Sequence, residues 1–405
     1  MQILLCERSV LNKSKPQLAR EKILMKVTFD NQAKPKILVT GATGKTGGAV
    51  VAQLSALGYP VRALVRSRDR RSELLDELGA ETIVADLLDP DQLLGAMEGI
   101  QRAYYCPPFS PFMLQSATAF AVAAREAKLE SIVQMGQWLS NPVHPALGTR
   151  QTWLVDQLFS MVPGIAHTIV NPGMFADNFL RVIDFASLLG IFPFVIGKSR
   201  SAPVSNEDMA RVIVAALVDP EKNAGKTYRP TGPELLSGYD MAAIVAKVVG
   251  NRVWPVELPF WMFLRVARMQ KVDPFLLSAF RSYVQDHKRG AFEFEGGVTD
   301  VVEQLTGSPA ESFETTARRY AALPFARKTI ANRIKAFVNF NLVPFSPGYN
   351  LDRYDREHDF PMPPDPRLSI DDPRWRRQHA TQLPGLPERE FHSSQAYQPL
   401  TAAIS

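Results

Sequence analysis

Five residues in one short stretch, VTGATGKTGGAV from Val39 to Val50, have types and spacing that could hold phosphate: Gly41, Gly44, Lys45, Thr46 and Gly47. Small residues let the backbone turn sharply and bring its N–H groups up to an anion. Two cradles compete. A triphosphate loop has the form GxxxxGK[ST], and Gly44-Lys45-Thr46 would then require glycine at position 39, where Val39 stands. The spacing GxxGxxG over Gly41, Gly44 and Gly47, after an apolar strand and at the start of a helix, suits a dinucleotide pyrophosphate facing the helix dipole.

The second strand bears on which dinucleotide. NAD calls for an Asp or Glu about 20 residues on, to accept from the ribose hydroxyl. This strand ends LVRSRDRR, with Arg66 and Arg68 where the acid should be. Guanidinium groups pair bidentately with a 2′-phosphate, so NADP(H) is favoured and NAD(H) is less suited. The competing reading is a solvated loop, as Arg70 and Arg71 suggest. Asp86, in VADLLD after the third strand, can accept from the adenine amino group or simply flank a helix.

These residues need a scaffold, and the chain has one. Apolar strands KILVT (36–40), VRALV (61–65), ETIVA (81–85), RAYYC (102–106), SIVQM (131–135) and HTIVN (167–171) alternate with helical patterns at 44–57, 71–79, 90–98, 112–127 and 148–160. Strands apolar on both faces and separated by helices predict an α/β doubly wound parallel sheet of the Rossmann type. The expected organisation is a leader over 1–34, with Met1 or Met25 as the start, and a dinucleotide-binding domain over 35–172. A smaller, mainly helical lobe follows over 173–322, able to share the sheet, and then a basic helix and proline-rich extended tail over 323–405. Within that tail, 327–342 sets Ile330, Ile334, Phe337 and Val338 on one helical face, either packed on the body or left to contact a membrane surface or partner.

Composition limits the rest. The 405 residues are 46% apolar and 21% charged, with 46 basic against 41 acidic side chains, mixed along the chain. No basic face marks a nucleic-acid footprint. Cys6 and Cys106 have no metal or disulfide spacing, and no apolar run reaches the roughly 18 residues of a membrane span. The expected setting is the cytoplasm. Metalloprotease, serine-hydrolase and calcium-loop motifs are absent, and Asp371-Asp372 reads as a solvated pair.

Together TGATGKTG, VRALVR, VADLLD and TIVNPGMFADNF resemble the NmrA-like group of atypical short-chain dehydrogenase/reductases, over roughly 36–320. The resemblance implies an NAD(P)-binding Rossmann domain with a small substrate lobe, in a group holding both quinone or dye reductases and regulators that bind the dinucleotide without turning it over. It carries the cofactor role onto Gly41, Thr43, Gly44, Lys45, Thr46, Gly47, Arg66 and Asp86, with Arg68 and Pro107 beside them. Asn171 to Phe175, with Asn178 behind, matches the segment that closes over the nicotinamide.

The departures concern the chemistry. Short-chain dehydrogenases use a Tyr-x-x-x-Lys pair, and no tyrosine here has lysine four residues later. Arg150, Gln151 or Thr152 stands near the usual lysine. A positioned acid is worth about a hundredfold to ten-thousandfold, so a ketone or alcohol dehydrogenase is disfavoured. A quinone, azo or conjugated acceptor can take its proton from water. Candidate pocket residues are Pro107, Pro108, Trp138, Trp153, Met174, Phe175 and Asn178, any of the aromatics and Met174 being equally suited to a core. His144, between two prolines, is a weak candidate acid; no catalytic residue is assigned. Two functions follow: an NADPH-dependent oxidoreductase with a small-molecule acceptor, or a non-catalytic NADP(H) sensor.

Overall fold

The computed structural model describes residues 34–294 and 296–380. The expected leader, apart from Lys34, and the final stretch of the tail lie outside the described residues. The chain begins β1 Ile37–Val39, α1 Lys45–Ala56, β2 Val61–Val65, α2 Arg70–Glu77, β3 Glu81–Val84, α3 Pro90–Ala96, β4 Arg102–Tyr105, α4 Met113–Glu126, β5 Ser131–Met135, α5 Leu147–Ser160 and β6 Ala166–Val170. After it come α6 Ala176–Leu180, α7 Ile183–Leu189, β7 Ile191–Phe194, β8 Arg200–Ser201, α8 Asn206–Val218, α9 Pro220–Asn223 and β9 Thr227–Tyr228. The remainder holds β10 Leu236–Ser237, α10 Gly238–Val249, β11 Trp254–Glu257, α11 Phe260–Met269, α12 Pro274–Lys288, α13 Val301–Thr306 and α14 Phe313–Ala321. Last are α15 Ile330–Leu342, α16 Leu351–His358 and α17 Pro373–Ala380.

The sheet has seven strands in the order β3-β2-β1-β4-β5-β6-β9, all parallel. Its strands alternate between two cores. Ile37 and Val39 point into one with Val50, Val51 and Leu54 of α1 and Met209, Val212 and Ile213 of α8. Leu38 and Leu64 point into the other, with Leu93, Phe120, Val155 and Phe159 from α3, α4 and α5. Burial on both faces explains why these strands read as unbroken apolar runs. Arg62 is tolerated inside β2 because its guanidinium reaches the carbonyls of Ala96 and Glu98, at 2.8 and 2.9 Å, and Glu81 at 2.9 Å.

The chain beyond residue 172 returns twice to the sheet, as α8 on one face and β9 at the edge. Its own core gathers Phe179, Ile183, Phe192, Met241, Val245 and Phe313. Two small sheets, parallel β7 with β11 and antiparallel β8 with β10, complete it.

The proline-rich composition keeps 359–372 largely without helix or strand, yet this segment is pinned to the body. Arg367 N–H donates to the Val143 carbonyl (2.9 Å), Ser369 Oγ to the Leu139 carbonyl (2.8 Å), and Trp375 Nε1 to the Trp138 carbonyl (2.9 Å). Trp375 is fully buried. The apolar face of α15 behaves oppositely. Only Ala336 of this helix is buried, whereas Ile330 is 80% exposed and Ile334, Phe337 and Val338 also face outward. The helix does lie against α7, Ala336 being buried and the Phe340 ring 6.5 Å from that of Phe185, but the apolar face expected to make that packing is left outside.

Candidate cofactor and substrate site

The loop from β1 to α1 is built for close approach. Gly41 has φ +61°, a left-handed conformation that glycine adopts freely. A Cβ at Gly47 would lie 2.2 Å from the Gly41 carbonyl oxygen, so only glycine lets α1 start against the turn. Gly44 is the N-cap residue and supplies no side-chain cap. The first N–H groups of α1 therefore have no side chain to satisfy them and face outward from the strand's C-terminal end, which fits an anion such as pyrophosphate.

Lys45 and Thr46 have partners in the following lobe. Lys45 Nζ donates to Asp177 Oδ2 (2.8 Å) and to Tyr320 Oη (2.9 Å), and lies 4.9 Å from the Tyr320 ring centroid. Burial lowers the lysine pKa, but the bonds and charges of Asp177 and Tyr320 outweigh it and the net shift is upward. Thr46 Oγ1 donates to Asn206 Oδ1 (2.8 Å). These two side chains fasten the loop to α6, α8 and α14. Thr43 is half-buried.

The two arginines after β2 differ. Arg68 donates to Asp76 (3.0 Å) and to the Thr82 carbonyl (2.8 Å), so its guanidinium serves the α2–β3 connection. Arg66 is exposed and has no side-chain partner among the described residues. Asp86 is exposed too; one carboxylate oxygen accepts from Leu88 N–H (2.9 Å), leaving the other for a ligand. Pro107 and Pro108 are half-buried after β4. Neighbouring Cys106 packs against Gly41, and burial pushes its thiol pKa up, against nucleophilic use.

The residues near the expected lysine are committed elsewhere. Arg150 Nη1 donates to the carbonyls of His144 (2.6 Å) and Pro145 (2.8 Å), and Nη2 to that of Pro361. Gln151 donates to the Pro111 carbonyl (2.8 Å) and Thr152 to that of Gly148 (2.9 Å). His144 is fully buried. Its Nδ1 accepts from Ala146 N–H (3.0 Å), so Nε2 carries the proton and donates to Asp286 Oδ2 (3.0 Å). Asp286 also accepts from Ser369 and Ile370 N–H, at 3.2 and 3.0 Å. His144 thus locks three segments together and has no proton to offer a ligand.

Of the pocket candidates, Trp138 and Met174 are buried in the core of the second lobe. Trp138 Nε1 donates to the Ala291 carbonyl (2.9 Å), and its ring meets His379 edge-on at 5.2 Å. Phe175 is half-buried and bridges to Val204. Trp153 is half-buried on α5, and Asn178 is exposed beside Arg181 (3.3 Å). Sequence reasoning missed Asp177, Tyr320, Arg229, Trp375 and His379, which the fold brings to this side from distant segments. Only Asp177 lay inside a recognised motif.

Residues 41–220 match a family model described as NAD(P)H-binding. The chain is 28% identical over 299 residues to the NAD(P)H azoreductase of Xenophilus azovorans, covering 71% of this chain and 98% of that one. It is 28% identical over 288 residues to the (4-alkanoyl-5-oxo-2,5-dihydrofuran-3-yl)methyl phosphate reductase of Streptomyces griseus, covering 70% and 98%. Two solved structures share the fold. The NADPH-dependent quinone oxidoreductase QOR2 of Escherichia coli has a TM-score of 0.60 at 20% identity, over 70% of this chain and 99% of that one. NmrA, a negative transcriptional regulator solved with NADP, has 0.58 at 21%, over 71% and 95%.

Proposed function

We propose that this chain, whose residues 41–220 match an NAD(P)H-binding family model, is a cytoplasmic NADPH-dependent reductase of the NmrA-like group that acts on quinone-like, azo or conjugated small molecules. The observation that carries the reading is the pairing of an uncapped α1 N-terminus behind Gly41, Gly44 and Gly47 with an unpartnered Arg66 after the neighbouring strand. The first accepts pyrophosphate, the second a 2′-phosphate.

When bound, the reduced nicotinamide supplies a hydride. The protein's own residues supply position. The turn at Gly41 and the α1 N–H groups fix the phosphates, Asp86 offers a carboxylate oxygen to adenine, and the segment from Asn171 to Phe175 covers the other end. With His144, Arg150, Gln151 and Thr152 all engaged elsewhere, the residues tested as an acid or its supporting cation are not offered to a ligand, and the acceptor takes its proton from solvent. This favours acceptors whose reduced form is stable before protonation. Both relatives named above are reductases, and one acts on a conjugated carbonyl compound.

A non-catalytic NADP(H) sensor is the second reading, favoured by the engagement of those four residues elsewhere and by the likeness in fold to a regulator. Fluorescence titration of NADPH and NADH, followed by oxidation at 340 nm with quinones, azo dyes and enals, separates them. Tight binding without turnover of any acceptor would sink the reductase.

The exposed face of α15 has a use in either case. No Asp or Glu occurs from Thr315 to Leu351, while Arg327, Lys328, Arg333 and Lys335 flank the apolar side chains. Phe345, next after the helix, is 86% exposed. An apolar face with cationic flanks suits an anionic lipid surface, and we assign α15 that contact. Among the described residues no helix is long and apolar enough to cross a membrane.

A further inference from the structure

We propose that Arg229, set over the face of Trp138 and beside His379, is an anion-binding subsite that takes the carboxylate, sulfonate or phosphate of a flat acceptor. The assignment of that anion to an acceptor rests on the reductase reading above; the subsite itself does not.

Arg229 follows β9 directly and is only 7% exposed. Its guanidinium carbon lies 5.3 Å from the Trp138 ring centroid. Its Nε has no hydrogen-bond partner, and its side chain forms no ion pair among the described residues. The fold treats its other buried arginines differently. Arg62 and Arg150 each reach at least two carbonyl oxygens. Burial, acting alone on it, pulls the Arg229 pKa down to about 9. A buried cation without a counter-charge is strongly unfavourable, so a position that keeps one is suited to a partner of opposite charge.

A second orphan stands next to it. His379 is buried, its Nδ1 donates to the Trp375 carbonyl (2.9 Å), and its Nε2 makes no hydrogen bond among the described residues. Its ring stacks on Trp375 at 3.7 Å and meets Trp138 edge-on. Burial, and then the charge of Arg229, hold its pKa well below the usual histidine value. Arg229 is thus the group that gains from a nearby anion, and among the described residues no carboxylate contributes to the electrostatics of either side chain.

The place also selects the ligand. Trp138 lies after β5 and Gly173 after β6, where a Cβ would meet Trp138 at 3.8 Å and Thr231 at 3.9 Å. Arg229 follows β9, which lies four strand spacings from β1, or about 19 Å across the sheet. The phosphates cradled after β1, and a 2′-phosphate near β2, are thus too far to be its partner. A planar acceptor carrying an acid suits the place: its ring adds to the aromatic cluster of Trp138, Trp375 and His379, and its anion pairs with the guanidinium fork. α17 supplies the roof through Trp375 and His379, so this chain's C-terminal segment contributes to the subsite.

Calorimetric titration of the full chain with 2-naphthalenesulfonate and with uncharged 2-naphthol tests this without needing turnover. The wild type should bind the sulfonate more tightly, on the order of tenfold or more. Arg229→Met should abolish that preference, leave the NADPH dissociation constant unchanged and raise Tm by removing an unpaired buried charge. Should Arg229→Met fail to fold, Arg229→Lys serves instead: it keeps the charge but not the fork, and should weaken the sulfonate several-fold. A wild type that does not prefer the sulfonate, or a preference that survives both substitutions, would overturn the subsite. Sulfonate binding that depends on Arg229, without NADPH oxidation by any acceptor, supports the subsite and removes only the reductase reading.

Discussion

Lys45 Nζ lies 2.8 Å from Asp177 Oδ2, a contact between residues 132 positions apart that joins the β1–α1 glycine loop to the segment proposed to close the other end of the site. The same ammonium reaches Tyr320. Loop and lobe are therefore coupled at the point where a dinucleotide would enter.

That coupling has a pH signature. The Lys45 pKa is raised on folding, so its contribution to stability is complete below the ordinary lysine range and is lost as pH climbs through the higher folded value. Thermal melts from pH 8 to 11 should show wild type and Lys45→Met converging at the alkaline end. Because the side chain is half exposed, screening keeps the effect small, and NADPH affinity should fall by about two- to fivefold.

Gly47→Ala should be far more damaging. Its Cβ would sit 2.2 Å from a backbone oxygen, which must move. A loss of about 1–3 kcal/mol in urea denaturation is expected, together with a marked rise in the NADPH dissociation constant. Normal NADPH binding by this variant would show that the α1 N-terminus is not the phosphate cradle.

Arg66 and Arg68 separate cleanly. Arg66→Asp should shift preference toward NADH, NADPH affinity falling on the order of tenfold to a hundredfold with the loss of a charge-assisted pair. Arg68→Ala should leave the NADPH to NADH ratio near wild type, since Arg68 is already bound to Asp76 and Thr82. Equal effects of both on the ratio would contradict the assignment to Arg66.

His144→Ala tests structure against catalysis. Removing His144 takes one of three hydrogen bonds from the fully buried Asp286, which keeps those of Ser369 and Ile370 N–H, and should cost about 1.5–3 kcal/mol. Melting temperature should drop, while the pH dependence of NADPH oxidation in the surviving folded protein stays as in wild type. A large fall in kcat with unchanged melting would restore His144 as an acid.

The surface of α15 predicts binding to vesicles. Flotation with phosphatidylglycerol-containing vesicles should retain the wild type, and Ile334→Glu with Phe337→Glu should release it without changing NADPH affinity. Retention by neutral vesicles alone, or dimerisation in place of vesicle binding, would contradict a lipid contact.

Much of this architecture is written locally in the chain. The six long strands fall within about one residue of their apolar runs, because burial on both faces leaves an unbroken signal. The glycine spacing is nearly as local: Gly44 and Gly47 both answer to the Gly41 carbonyl, and Gly41 to its own left-handed turn. What stayed hidden is non-local. β9 is two residues long, too short for any period, and its place beside β6 depends on a crossover through α8. Lys45 resembles a phosphate ligand until Asp177 and Tyr320 arrive from other elements. Trp138 announces an aromatic pocket, but nothing around it in sequence says that Trp375 and His379 will roof it. For 327–342 the helix is legible and its exposure is not, because an amphipathic pattern is the same whether the face meets a core or a membrane.

The most direct test of the central claim is a single-turnover measurement. Protein saturated with NADPH, as judged by its fluorescence, is mixed with excess 1,4-naphthoquinone and followed at 340 nm. Oxidation of one equivalent per chain is expected, well above the rate of free NADPH with the same quinone, and little dependent on His144. Saturable NADPH binding with oxidation no faster than in free solution, across quinone and azo acceptors alike, would contradict it and leave a dinucleotide sensor.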